Sequence, residues 1–323
     1  MVNQPKNIVL FVGNIFESHI EAIRSYDSSL RVGFLYDSKT KLAPKTKKRL
    51  KKIDVVLKCD ISSPVALSKA LKPYENQIFS VTARGEYHIP TLSKIIPHVP
   101  YLKTPTAASL LWATDKLMMR RKLYTYNKKI SPKYTLVSDT SEKSLEKIEE
   151  KIGFPLIAKP TGLAASQLVS ICYHKEELEK VLKNIFKNIK RISKKKGAQN
   201  QQILVEQFME GDMYSVDGYV TNRGKLYFCP MVHVKTGNTI GFDDFFGYRQ
   251  MTPTLLKTTS IKQAHAVAKE AVHALGLRST TVHVELIRME GGWKVIELSP
   301  RMGGFRHSLY EFSFGINHTI NDI

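Results

Sequence analysis

Two runs in the last fifth of the chain decide the reading. They are Val282-His283-Val284-Glu285-Leu286-Ile287-Arg288 and, past Met289-Glu290-Gly291-Gly292, Trp293-Lys294-Val295-Ile296-Glu297-Leu298-Ser299-Pro300-Arg301-Met302-Gly303-Gly304. In the first, Val282, Val284 and Leu286 alternate with His283, Glu285 and Ile287, the period of a strand with one apolar face. Residues 289–292 have the composition of a hairpin turn, and Trp293 to Leu298 reads as the returning strand. An antiparallel pair of this kind can set Glu285 beside Glu297. Two ionised carboxylates held that close repel unless a cation lies between them. Mg²⁺ suits such a pair, because it takes one or two carboxylates and completes its shell with phosphate oxygens and water. Arg301, just past the strand, offers a fixed positive charge to a phosphate or a developing oxyanion. For this stretch alone, an ordinary hairpin with solvated acids is an equal alternative.

Working outward, residues 7–13, 31–36, 53–57 and 77–81 are short apolar runs, with helical spacing at 16–26, 64–71 and 89–96. Strands alternating with helices predict a parallel, Rossmann-like sheet. Gly13 is a lone glycine that marks the first strand–helix turn rather than a full dinucleotide fingerprint. Glu86 opens the last helix of this unit. Residues 105–126 predict two helices, the second started by Thr114-Asp115. Lys116 in its first turn opposes the helix dipole, which an anion nearby would explain; a surface lysine explains it equally well.

Leu156-Ile157-Ala158-Lys159-Pro160 is an apolar strand carrying one lysine, whose ammonium must find an anion or water. Thr161-Gly162-Leu163-Ala164-Ala165-Ser166-Gln167 is a small-residue run before a strand at 168–172. Such a loop lets backbone N–H groups approach phosphate; a plain hairpin loop is the other reading. Residues 174–191 form an amphipathic helix with a lysine-rich tail, and 203–209 a strand. A hairpin is expected from 214–220 and 225–234, then a glycine- and aromatic-rich loop over 235–253, and a helix from Thr258 to Leu275 stopped by Gly276. The chain stops at Ile323 with no element that closes the unit, so the last domain is expected to be C-terminally incomplete.

At 323 residues, 42% hydrophobic and 24% charged, the chain can form two or three packed units. No apolar run reaches the roughly 18 residues of a membrane span, and a cytoplasmic location is expected. Cys59, Cys172 and Cys229 are widely spaced and form no CxxC pair, so neither a disulfide framework nor a zinc site is expected. The net charge of +20 would suit a nucleic acid, but the lysines are spread along the chain and carry no interleaved aromatics. A lysine-rich solvated surface is the preferred reading.

Taken in order, Lys116, Lys159, the small-residue loop, Glu206-Gln207-Phe208-Met209, and the Glu285/Glu297 pair followed by Ser299-Pro300-Arg301 and Gly303-Gly304 resemble the ATP-grasp superfamily along the whole chain. The resemblance is closest to the carboxylate–amine ligase and carbamoyl-phosphate-synthase-like branches. It implies a mixed α/β and α+β fold. A Rossmann-like pre-ATP-grasp domain (1–104) would be followed by a two-lobed ATP-grasp domain, with linker helices and small lobe at 105–202 and large lobe at 203–323.

The resemblance further implies ATP and Mg²⁺ (or Mn²⁺) as cofactors. Lys116 and Lys159 would bind phosphates, and Gly162 and Ser166 would lie in the phosphate loop. Backbone around Gln207, Phe208 and Met209 would hold adenine, with Glu206 on its exocyclic amine. Glu285, Glu297 and Ser299 would bind metal, and Arg301 would steady the transferred phosphoryl group. Ser299 stands where the family usually has Asn, Met213 where relatives often carry a ribose-binding Glu, and the phosphate loop has fewer glycines. The implied reaction activates a carboxylate as an acylphosphate for attack by an amine, an amino acid being a candidate, and releases ADP and phosphate. The alternative is a non-catalytic nucleotide-binding module. Arg249 and Arg306 are candidate carboxylate binders, a surface role being equally open to each. Partners are then ATP and small molecules, not membrane or nucleic acid, and a homodimer is left open.

Overall fold

The computed structural model describes residues 5–163, 167–196, 202–242 and 244–323. Its first unit follows the expected alternation: β1 (Ile8–Val12), α1 (Glu17–Tyr26), β2 (Arg31–Asp37), α2 (Pro44–Leu50), β3 (Val55–Cys59), α3 (Pro64–Leu71), β4 (Ile78–Ala83) and α4 (Ile89–Ile95). The four strands are parallel, in the order β3-β2-β1-β4. β1 is buried on both faces, Ile8 and Leu10 packing to one side and Val9 and Phe11 to the other, as helices on both sides of a parallel sheet require. The lysine-rich stretch 41–52 contains α2, started by Pro44 at its first turn.

Two helices follow, α5 (Ala107–Thr114) and α6 (Lys116–Asn127). The break between them is chemical. Thr106 caps α5 through the Ser109 N–H, and Asp115 caps α6 by accepting from the Met118 N–H at 2.9 Å.

The second sheet holds β5 (Tyr134–Val137), β6 (Leu156–Pro160), β7 (Ser170–Cys172) and β8 (Ile203–Gln207), with α7 (Glu142–Ile152) and α8 (Lys175–Lys196) packed on it. Its order, β5-β8-β6-β7, moves one expected boundary. Residues 203–207 do not open the large lobe. β8 is an inner strand of the smaller sheet, antiparallel to both β5 and β6. Chain order suggested the division at 202, whereas strand pairing decides it.

The third sheet contains β9 (Asp212–Val220), β10 (Leu226–Phe228), β11 (Val232–Thr236), β12 (Gly247–Met251), β13 (Thr280–Met289) and β14 (Gly292–Ser299). It runs β12-β11-β9-β13-β14, with β10 also on β9. The strand expected at 225–234 is divided at Cys229-Pro230-Met231, since proline cannot donate to a ladder. The long loop expected after it is partly strand: β12 returns along β11 as the sheet edge. One face of β13 and β14 buries Val282, Val284, Leu286, Val295 and Leu298 against α9 (Thr258–Ala274), whose Ala264, Ala268 and Ala271 allow close approach. The other face looks toward the second sheet.

The chain finishes with α10 (Arg306–Phe314) and a short turn. In that turn Asp322 pairs with Arg84 at 3.1 Å and accepts hydroxyl protons from Thr82 and Thr281. Both members of the ion pair are 5% exposed, and the contact fastens the first sheet to the third.

Candidate active site

A cleft runs between the second and third sheets and encloses about 1000 Å³ of empty space, open mouth included. Lys116, Lys159, Glu206, Glu285 and Glu297 line one part of it. Ile157, Val169, Phe208, Met209, Met213 and Ile287 form apolar walls, and Thr236, Asn238 and Thr239 lie along the loop side.

Lys159 stands on β6 and Glu206 on β8, a diagonal pair on one face of the sheet, because Glu206 lies opposite Ile157. The Lys159 Nζ donates to Glu206 Oε2 at 2.7 Å. A second cation reaches the same carboxylate. Arg120 Nε donates to Glu206 Oε1 at 2.8 Å and Nη2 to Oε2 at 3.0 Å, a bidentate grip. Burial works against the charge on Glu206, but Arg120 and Lys159 outweigh it and hold its carboxyl at about 2. Burial pushes Lys159 down, with Glu206 pulling the other way. A partner role for Glu206 toward an exocyclic amine therefore meets a carboxylate whose two oxygens are already engaged.

Lys116 opens α6 as expected. Its backbone N–H donates to Thr161 O, and its Nζ donates to Leu163 O at 2.9 Å and to Glu297 Oε1 at 3.2 Å. Burial disfavours its charge, but the carboxylates of Glu297, Glu86 and Glu206 prevail and its pKa is raised. Its anomalous position against the helix dipole thus has an anionic neighbour.

The hairpin register sets Glu285 directly opposite Glu297. Behind Glu285, Asp217 on β9 accepts from His283 Nδ1 at 2.8 Å, and the other ring nitrogen faces Glu285 Oε1 at 3.4 Å. Burial disfavours the imidazolium, yet Asp217 overrides it and pushes His283 up to about 9. Asp217, fully buried, is held at about 2 by His283 and Arg306 against the cost of burial. Burial acts on Glu285 too, and is outweighed first by His283 and then by Arg306 and Arg301, so its pKa is lowered. Asp217 also accepts the Gly303 N–H at 2.7 Å. A side chain at Gly303 would put a Cβ 2.5 Å from His283 Nδ1, so only glycine fits there.

No three His, Cys, Asp or Glu side chains among the described residues converge to hold a metal ion by themselves. The paired carboxylates nevertheless fit Mg²⁺ or Mn²⁺ bound jointly with phosphate oxygens: they are hard oxygen donors, adjacent in register, half-buried and facing a cleft.

Ser299 and Arg301 lie elsewhere. The Ser299 hydroxyl donates to Glu86 Oε2 at 2.8 Å, and Arg301 pairs with the same carboxylate at 2.8 Å. Neither lines the cleft, and both bind the strand end to the edge of the first unit. Gly162 is in the bend after β6, next to the cleft-lining Leu163, while Ser166 falls outside the described residues. Gln207, Phe208 and Met209 line the cleft as expected. Of the two candidate carboxylate binders, Arg249 is exposed on β12, and Arg306 is buried against Asp217 at 3.4 Å, with Ser215 and Gln250. Arg306 is committed to an internal anion. Arg120, Asp217 and His283 had no role in the sequence reading.

Residues 152–308 match the family model described as ATP-grasp domain. Over 170 residues the chain is 31% identical to the alanine–anticapsin ligase of Bacillus amyloliquefaciens, a match covering 48% of this chain and 35% of that protein. The chain thus spans about a third of the length of that curated relative. The L-amino acid ligase from Bacillus licheniformis superposes with a TM-score of 0.73 at 18% identity, covering 98% of this chain and 73% of that one. The N5-carboxyaminoimidazole synthetase from Staphylococcus aureus, solved with ADP, superposes at 0.70 with 14% identity, covering 96% and 75%. Residues 152–308 thus match the ATP-grasp domain family, and the chain as a whole, with a parallel first sheet preceding two antiparallel sheets, shares the fold of these structures.

Proposed function

We propose that the protein is an ATP-dependent carboxylate–amine ligase. One observation carries this reading: two lysines from different elements and two register-paired carboxylates meet in one cleft that also has apolar walls. The ammonium groups of Lys116 and Lys159 suit a triphosphate, and the backbone of residues 207–209 with its apolar neighbours suits a base. Glu285 and Glu297 would hold Mg²⁺ or Mn²⁺, which when bound neutralises charge between phosphate groups. Phosphoryl transfer asks for positioning and charge neutralisation more than for covalent help, and this set of residues offers both. A substrate carboxylate oxygen takes the γ-phosphoryl group as its bond to ADP breaks. An amine then attacks the acyl carbon, loses a proton and displaces phosphate.

Arg301 is proposed to steady the transferred group once freed from Glu86. The carboxylate and the amine would enter between the 235–253 segment, the 301–307 turn and the end of the first sheet near Glu86. Similarity to an alanine–anticapsin ligase and to an L-amino acid ligase supports an amino acid as one substrate. The second reading, a nucleotide-binding module without turnover, is favoured by the engagement of both Ser299 and Arg301 with Glu86.

Titration of Mg·ATP by calorimetry, with Glu297→Gln in parallel, tests the nucleotide site. Wild-type binding that weakens at least tenfold in the variant supports it, and equal binding removes the metal assignment. ADP release on addition of amino-acid pools then separates ligase from silent binder.

A further inference from the structure

Arg120 is among the largest side chains less than 2% exposed in the described residues, and it sits one helical turn after Lys116. Its guanidinium reaches both sheets at once. Besides gripping Glu206, it donates to Val295 O at 3.2 Å and Ile296 O at 2.6 Å. β14 is the edge strand of the third sheet, and its ladder with β13 is interrupted at Ile296, which has no partner between the Glu285–Glu297 and Leu286–Val295 pairs. Ile296 is next to Glu297. A single side chain therefore joins the strand bearing Glu206 to the strand bearing a cleft carboxylate.

The charge balance of this group matters as much as its geometry. Glu206 brings one negative charge to two cations, Arg120 and Lys159. Arg120 holds both carboxylate oxygens and touches no part of the cleft surface, whereas Lys159 lines it. With Arg120 in place, one positive charge is left uncompensated, and it is carried by the group that faces the cleft. Without Arg120, Glu206 and Lys159 would form a closed neutral pair, and the lysine would have little to offer a phosphate.

We propose that Arg120 is a positioning residue that keeps the Lys159 ammonium available to an anionic ligand by engaging Glu206 from behind. This deepens the nucleotide reading of the cleft and rests on it for the identity of the ligand. A role confined to packing makes a different prediction from a role in charge balance. If Arg120 acts through Glu206, then removing the charge of Glu206 as well repairs its loss; if it only fills space, a second buried change adds to the damage.

The test compares wild type, Arg120→Met, Glu206→Gln and the double variant. Mg·ATP affinity is read by calorimetry, and Lys159 acetylation by dilute acetic anhydride is read by mass spectrometry on ligand-free protein. Arg120→Met is expected to weaken Mg·ATP about tenfold, the scale of one lost charge-assisted contact, and to slow acetylation of Lys159. The double variant is expected to return to within about threefold of wild type in both readouts. A double variant no better than Arg120→Met overturns the proposal. If Arg120→Met does not fold, Glu206→Gln decides: Lys159 acetylated faster than in wild type supports the proposal, and an unchanged rate overturns it. Wild type that binds no nucleotide, with the acetylation pattern as expected, removes the nucleotide reading and leaves the positioning role standing.

Discussion

Glu206 and Asp217 are the same device built on opposite walls of the cleft. Each is a buried carboxylate held at about 2, and each lies between two cations, Arg120 and Lys159 for one, His283 and Arg306 for the other. They differ in what they present. Glu206 reaches the cleft beside Lys159 but is gripped by Arg120 as well, so its wall carries a net positive charge. Asp217 stands behind a histidine that in turn faces Glu285, so its wall shows a negative one. The sign displayed at each cleft surface is set by which cations share the buried acid.

The difference also predicts which device is harder to remove. Lys159 faces the cleft, where water can solvate it when its partner is lost. His283 and Arg306 do not line the cleft, and Asp217 additionally fixes the Gly303 backbone. Asp217→Asn should therefore be the most damaging single change, costing on the order of 3–5 kcal/mol in chemical denaturation. Glu206→Gln should cost clearly less; equal losses would show that the two acids are equivalent supports. Gly303→Ala comes next, at about 1–3 kcal/mol, because its methyl must displace the His283 ring. A Gly303→Ala protein with an unchanged thermal midpoint would mean that the ring can move freely.

The smallest effect concerns pH. The pKa of His283 is raised from 6.5 to about 9, so its contribution to stability is complete below 6.5 and is lost as the pH rises through 9. Asp217 and Glu206 are lowered from 3.8 and 4.5 to about 2, so their contributions are complete above those values and fade as the pH falls toward 2. Denaturant midpoints should form a plateau over roughly pH 5–6 and decline on both sides. His283→Gln should flatten the alkaline decline and, because His283 is the first cation holding Asp217 down, also shrink the acid one toward the part owed to Glu206.

These two devices were unequally legible in the sequence. Lys159 announced itself as the one charge in an apolar strand, and the alternation around Glu285 together with the Gly291-Gly292 turn announced the hairpin, although Glu285 meets Glu297 only through a register shift between Glu285 and Leu286 that no local pattern shows. Arg120 was hidden by Arg121, since adjacent arginines in a helix suggest solvent. The available signal was its spacing of four from Lys116, which places both on one face of the helix. Asp217 lies in a strand of mixed polarity, and nothing local shows that three cationic or amide groups converge on it. The boundary near residue 202 was missed for the same reason: the membership of β8 depends on its partners, β5 and β6, and not on its own residues. Ser299 and Arg301 were found as residues, but their present partner, Glu86, lies more than 200 positions away in the chain and belongs to another sheet.

The joint made by Asp322 has a consequence for how the molecule assembles. Its bond to Thr82 closes a loop of 240 positions, while the first sheet is built from strands linked by neighbouring helices. Local contacts form early and distant ones late, because chain entropy opposes closing long loops. The first sheet can thus acquire its order as a separate cooperative unit, and the Arg84–Asp322 clasp sets the moment at which two independently folded bodies become one.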